Sequence, residues 1–294
     1  MRVTDSMLYD MSRTRLSAAR TRAAEAQERA ATGQRVRAPS DDPTAAALAR
    51  RESARIAHAE AALRTTDAGL GWLEAADGAL DSVESLLSRA RELAVGAANG
   101  TMNADARSGI AREIEQIRAA VVGLANTEAE GSYVFAGFAD NIPPFIATGA
   151  YVGDGQVREV EPAPGMRVGV GVSGATTFGV GGAGGTDILA TLESLRAALD
   201  SDDVATIGAL LDPLSSSISQ IADARTTLGA NMQSLETMRS VAERRRDRAT
   251  ADRADLVEVD PYEAFSELSR AENALQAAVK VAAELPMPGL LDRR

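Results

Sequence analysis

A few short stretches carry residue types that could do chemistry. Asp41 and Asp42, in "APSDDPT", offer paired carboxylate oxygens of the kind that hold a hard cation. A calcium loop needs further carboxylates at fixed spacing, and none follow, so the favoured reading is a helix cap ahead of Pro43. "GVGVSG" (169–174) and "GVGGAGG" (179–185) are rich enough in glycine to cradle a phosphate. However, no Lys-Ser or Lys-Thr follows either run, and no strand–loop–helix unit encloses them. "ERRRDR" (243–248) could meet an anion, but Glu243 and Asp247 interleave its arginines, which suits a solvated helix face. His58 lies between alanines, away from any ligand cluster, and the absence of cysteine removes thiolate metal sites and cysteine nucleophiles. The last stretch is aromatic. Tyr133, Phe135, Phe138, Phe145 and Tyr151 fall between Gly131 and Tyr151, with Phe178 beyond. Exposed beside polar groups, such side chains form stacking platforms for sugars or bases. Buried, they form the core that a small domain needs. The core is the reading adopted, with Tyr133, Phe135 and Phe138 anchoring the sheet on the helix tips. No catalytic residue, metal ligand or cofactor is expected.

Composition narrows the classes further. A net charge of −11 argues against nucleic-acid binding, because neutralising phosphates takes a surplus of Lys and Arg. No stretch of about 18 apolar residues exists to span a bilayer. Charges recur every few residues through the N-terminal segment, so no cleavable signal peptide is expected. Aromatics make up only 3% of the chain, and abundant alanine suits helices packed closely side by side.

The elements that must position these residues read as follows. Residues 1–37 are free of proline, rich in Ala and Arg, and have a weak apolar face of Met7, Met11 and Ala18. "RAPSDDPTAA" interrupts them. Helix then dominates from residue 44 to 126, with Ile56, Leu63, Leu70, Leu73, Leu80, Leu87 and Ala94 in three-four spacing and "ANGT" (98–101) breaking the run. Ile110, Ile114, Ile117, Val121 and Leu124 make the next seam. An island follows to about residue 185, holding 14 of the chain's 25 glycines and two stretches of period-2 alternation, "VREVEP" and "MRVGVGVSG". After it, Asp187 caps a short helix to about Leu199, and a long helix runs from about 203 to 253 with Pro213 in its first turn or at a kink. Asp260 and Pro261 open the last helix, whose face is Phe265, Leu268, Leu275, Val279 and Ala282.

This order is mirror-like. The expected fold is mainly α: a long antiparallel helical bundle or coiled coil with paired termini and a small β-rich insertion at the distal end. Residues 1–40 and 255–294 form the terminal coiled coil, 41–130 and 186–254 the bundle, and 131–185 the insertion. Residues 1–37 hold eight arginines against four acids, and residues 255–294 four basic residues against eight acids. Charge therefore sets the orientation of the terminal pair, but exposed pairs contribute only about 0–1 kcal/mol each. Its apolar face is too poor in large side chains to offset a backbone ordering cost of about 1–2 kcal/mol per residue, so the pair should order only when neighbours cover it. That is the signature of a polymer subunit. Its assembly contacts are expected at Met7, Met11, Phe265, Leu268, Leu275, Val279, Leu285, Leu290 and Leu291.

At this point the residues carry a resemblance along essentially the whole chain. "TGQRVRAPSDDPTAA" and "LLSRARELAVGAANGTMNADARSGIAREIEQI" resemble the helical regions of the flagellin superfamily. The island, from "GSYVFAGF" through "PPF" to its valine-rich strands, and the ending "AENALQAAVKVAAELPMPGLLDRR" resemble the hook-filament junction proteins more than flagellin itself. The resemblance implies a structural subunit of the bacterial flagellum, forming a short ring zone between hook-associated protein 1 and the flagellin filament. It implies self-association in a ring or helical lattice. Export would be unfolded, through the flagellar type III apparatus to the cell exterior, with a small export chaperone shielding the C-terminal helix beforehand. No enzyme activity, nucleic acid or membrane is implied. A flagellin proper is the alternative within the superfamily. A coiled-coil signalling module is the alternative outside it, and the β insertion counts against that.

Overall fold

The computed structural model describes residues 5–163, 165–180 and 184–284. The protein is mainly α-helical with small two-stranded sheets, and it divides into two compact units: residues 1–58 with 245–294, and residues 59–244.

In the first unit, α1 (Asp5–Thr32) packs antiparallel against α8 (Pro261–Glu284). The covered positions of α1 include Ser12, Leu16, Ala19, Ala23, Ala26 and Ala30; those of α8 include Ala264, Leu268, Ala271, Leu275, Ala278 and Ala282. Both series alternate steps of four and three residues, the spacing of a coiled-coil seam. Most members are alanine, which allows close approach but buries about one methyl group each, near 0.8 kcal/mol, against roughly 1.5–3 kcal/mol for a leucine. The two ends are tied by backbone. The Arg35 N–H donates to the Val257 carbonyl at 2.8 Å, and the Val259 N–H to the Gly33 carbonyl at 3.0 Å. The Arg35 guanidinium adds a bond to the Leu256 carbonyl at 2.7 Å. At the start of α8, the Asp260 carboxylate accepts the Tyr262 N–H at 2.8 Å, with Pro261 in the first helical position.

The same unit uses both candidate cation ligands for backbone hydrogen bonds, Asp41 to close the loop before α2 and Asp42 to cap that helix. Asp41 accepts the N–H groups of Arg37 and Ala38, each at 3.0 Å. Asp42 accepts those of Thr44 and Ala45, at 3.1 and 2.9 Å, at the start of α2 (Pro43–Ala97). Donated backbone N–H groups, chiefly from Ala38 and from Ala45, hold the two carboxyls below the ordinary aspartate value of 3.8. Because the folded pKa is depressed, the stabilisation is complete above the ordinary value of 3.8 and is lost as pH falls below it through the lower folded pKa. Acid titration followed by circular dichroism should therefore lose helicity at higher pH in wild type than in an Asp41→Asn, Asp42→Asn double variant compared at equal starting stability. Superimposable titrations would contradict the capping role.

In the second unit, α2 runs antiparallel to α7 (Leu211–Val257). Arg91 Nε bonds Ser215 Oγ at 2.9 Å, Arg225 meets Asp81 at 2.8 Å, and Arg239 meets Asp67 at 3.1 Å, so retreat along one helix matches advance along the other. Buried side chains recur every seven residues on each: Thr66, Leu73, Leu80, Leu87 and Ala94 on α2, and Leu214, Ile221, Leu228 and Leu235 on α7. α3 (Ala104–Ala125) packs against α5 (Ile188–Asp200), bringing Ile114, Ile117 and Val121 into one core with Leu192, Leu195 and Leu199. Asn103 caps α3 and Asp187 caps α5 through side-chain bonds of 2.8 and 2.9 Å. The expected single long helix from 203 divides at Leu210 into α6 (Val204–Ala209) and α7, and Pro213 lies in the first turn of α7, where no intrahelical donor is needed.

Among the described residues, one cation is buried in this unit. Arg107 of α3 donates from Nε to the Ala97 carbonyl at 2.9 Å and from Nη2 to the Asn99 carbonyl at 3.0 Å, satisfying the end of α2, and it pairs with Asp202 in the turn after α5.

The island folds as two separate hairpins. β1 (Glu128–Ala129) pairs with β2 (Ser132–Tyr133), and β3 (Glu159–Ala163) with β4 (Met166–Gly169), both antiparallel. The second alternating stretch leaves the sheet at Gly169, and α4 (Gly174–Phe178) takes over its end. Gly179 closes α4 in the left-handed region at φ 68°, and a Cβ there would lie 2.0 Å from the Thr186 carbonyl oxygen. Gly179→Ala should cost about 1–3 kcal/mol. Gly109→Ala, mid-helix in α3 with open space around it, should gain up to about 1 kcal/mol. Thermal melts of the pair should shift in opposite directions; a neutral Gly179→Ala would contradict the close approach.

Candidate assembly interface

The expected assembly residues separate into two groups on α1 and α8. Leu268 and Leu275 lie half-buried on the seam. Phe265 and Val279 do not: they are 61% and 45% exposed, and Met7 and Met11 are 56% and 49% exposed. All six were expected at assembly contacts of the terminal coiled coil, and of them the structure places Leu268 and Leu275 in the α1–α8 seam and the other four at the surface. Size misled the reading. The large apolar residues of α8 were assigned to one face, whereas the seam runs through Ala264, Ala271, Ala278 and Ala282, and this leaves Phe265 and Val279 on its flank. Leu285, Leu290 and Leu291 lie outside the described residues.

The sequence reading also missed what lies on the other flank. There, α1 and α8 enclose a groove of about 620 Å³. Ala18, Ala19 and Ala26 of α1, with Ala271, Ala274 and Ala278 of α8, line it. Arg15, Arg22 and Arg29, seven residues apart, rim it along α1. Arg29 reaches Glu267 across the rim at 3.4 Å. A heptad count on the arginines would have found this rim, because residues seven apart return to one helix face.

The aromatic cluster lies in the second unit. Phe135, Phe145 and Phe178 are fully buried, with ring centroids 5.7 Å apart for Phe135–Phe178 and 5.0 Å for Phe145–Phe178, both edge-to-face. Half-buried Tyr151 tilts against Phe145 at 5.2 Å, and its hydroxyl donates to the Phe135 carbonyl at 3.1 Å and accepts the Gly155 N–H at 3.2 Å. Burial pushes this phenol up. Tyr133 is half-buried on β2. Phe138 was expected in this core and is instead 64% exposed. The turn explains it: Gly137 has φ 77°, and the Phe138 N–H is drawn to the Asp154 carboxylate at 3.0 Å, so the ring is carried out of the core. Arg158 covers the buried Trp72 ring at 4.8 Å, which fastens the second hairpin to α2. Among the described residues there is no group of three potential metal ligands, and no helix is long and apolar enough to cross a membrane.

The family model of the bacterial flagellin N-terminal helical region matches residues 3–140, and that of the C-terminal helical region matches residues 211–287. The chain is 30% identical to flagellar hook-associated protein 3 of Escherichia coli (strain K12), the match covering 95% of each chain. It is 27% identical to the protein of that name from Salmonella typhimurium, again over 95% of each. A solved structure of a flagellar hook-associated protein from Vibrio parahaemolyticus shares the fold, with a TM-score of 0.68 and 22% identity over 74% of this chain and 100% of that one.

Proposed function

The chain belongs to the flagellar hook-associated protein 3 family of the flagellin superfamily, and on that premise we propose that it is the structural subunit joining the flagellar hook to the filament. It is a structural flagellar protein and not an enzyme. The observation carrying the reading is the match to hook-associated protein 3 along 95% of both chains, which takes in the island as well as the terminal helices. In this reading the protein self-associates in a ring or helical lattice, contacts hook-associated protein 1 on one side and flagellin on the other, and is exported unfolded with a chaperone on its last helix. Residues 1–40 and 255–294 act as the terminal coiled coil that orders on assembly, 41–130 and 186–254 as the bundle, and 131–185 as the outer domain. The alanine seam of α1 and α8 supports that division, since it buries little apolar surface per residue. The mechanical demand fits a dedicated subunit, because hook and filament differ in stiffness and the junction must tolerate both.

Deleting the gene tests this. Electron microscopy of the deletion strain should show bare hooks, with flagellin monomers secreted into the medium. Normal filaments on the deletion strain would overturn the reading.

A further inference from the structure

We propose that the two flanks of the α1–α8 pair are the two halves of one interface. The ridge Phe265–Glu272–Val279 of one copy seats against the arginine-rimmed groove Arg15–Arg22–Arg29 of the next. This rests on the junction reading above and names the surfaces that meet.

The argument starts from periodicity. Phe265, Glu272 and Val279 are seven apart, so they form one straight ridge on α8, beside the seam positions Leu268 and Leu275. Glu267, Ala274 and Ala278, which line the groove, lie on the other side of that seam at 100° per residue. Ridge and groove therefore occupy opposite flanks of the same two-helix ribbon. The ridge spans fourteen residues, about 21 Å along the helix, and so does the rim from Arg15 to Arg29. The groove floor is alanine, shallow enough to take a phenylalanine and a valine knob. At the centre of the ridge stands Glu272, and at the centre of the rim stands Arg22. Both are exposed, and among the described residues neither makes an ion pair within the chain. The groove lining carries Arg15, Arg22, Arg29 and Arg270 against Glu25 and Glu267, and no acid occurs in α1 between Asp10 and Glu25, so the groove has an excess of positive charge around Arg22.

A second copy is the occupant these observations favour. The ridge matches the groove in period, length and charge, and both are carried by every copy. Because the surfaces differ, the contact is heterologous and repeats from copy to copy, generating a ring or an open helix rather than a closed pair.

The absence of cysteine makes a direct test available. Ala18→Cys and Val279→Cys, together in one full-length chain expressed in the gene-deleted strain, place one thiol on each flank. Brief oxidation of flagella sheared from these cells should give a ladder of cross-linked dimers, trimers and higher multimers. Val279→Cys alone should give none; dimers from it would show like flanks meeting and overturn the proposal. The protein present on flagella but unlinked in the double variant would overturn the interface while leaving the junction reading intact. Absence of the wild-type protein from flagella sheared in parallel would overturn both. Charge exchange supplies a second readout: Arg22→Glu and Glu272→Arg should each shrink the motility halo at least several-fold, and the double variant should regain it. Two singles with normal motility would overturn the central pairing.

Discussion

Leu275→Asp is expected to abolish motility while leaving residues 59–244 folded. Among the described residues, Leu16, Leu268 and Leu275 are the only large apolar side chains along a seam otherwise built of alanine and serine. Losing one half-buried leucine removes on the order of 1 kcal/mol of burial. Placing a carboxylate there adds the cost of desolvating a charge, several kcal/mol unless it reaches water. A seam made of alanines has no reserve to absorb that. Leu268→Asp should behave alike, whereas Leu268→Met, which keeps the volume, should be tolerated. Trp72 is buried in the other unit, so its fluorescence reports whether that unit remains folded. Unchanged motility in both aspartate variants would sink the assignment of this seam to assembly.

The second large effect is on stability. Arg107→Met should destabilise the protein by about 3 kcal/mol in chemical denaturation followed by circular dichroism. The substitution keeps much of the side chain's volume but withdraws the donors from the Ala97 and Asn99 carbonyls at the end of α2 and from Asp202. Asp202→Asn should cost far less, since Asp202 is half exposed and its loss leaves the two carbonyls satisfied. Equal small effects from both substitutions would mean that the arginine is not the cap of α2.

How much of this was legible beforehand follows from where each signal lives. Local signals read well. The caps at Asp187 and Asp260, the turn after residue 97 and the leucine seam of α2 are written in spacing and residue type, and the structure places helix ends and buried faces accordingly. Signals that depend on distant neighbours did not. Nothing near Arg107 marks it as buried, because its partners lie in the turns after α2 and after α5. The exit of Phe138 from the aromatic core depends on Asp154, sixteen residues away. The strand expected through "GVGVSG" gives way to α4, where the packing of Phe178 against Phe135 and Phe145 outweighs alternation. The seam of α8 was legible in principle, but only by counting alanines at heptad spacing rather than following the larger residues.

The central claim, a subunit confined to the boundary between hook and filament, is tested most directly by immunogold electron microscopy of intact flagella, using antibody raised against residues 138–157. This stretch exposes Phe138, Ile142, Ile146 and Val152. The account predicts a single narrow band of gold where the hook meets the filament. Label distributed along the filament would make the protein a flagellin, and unlabelled flagella would remove it from the structure altogether.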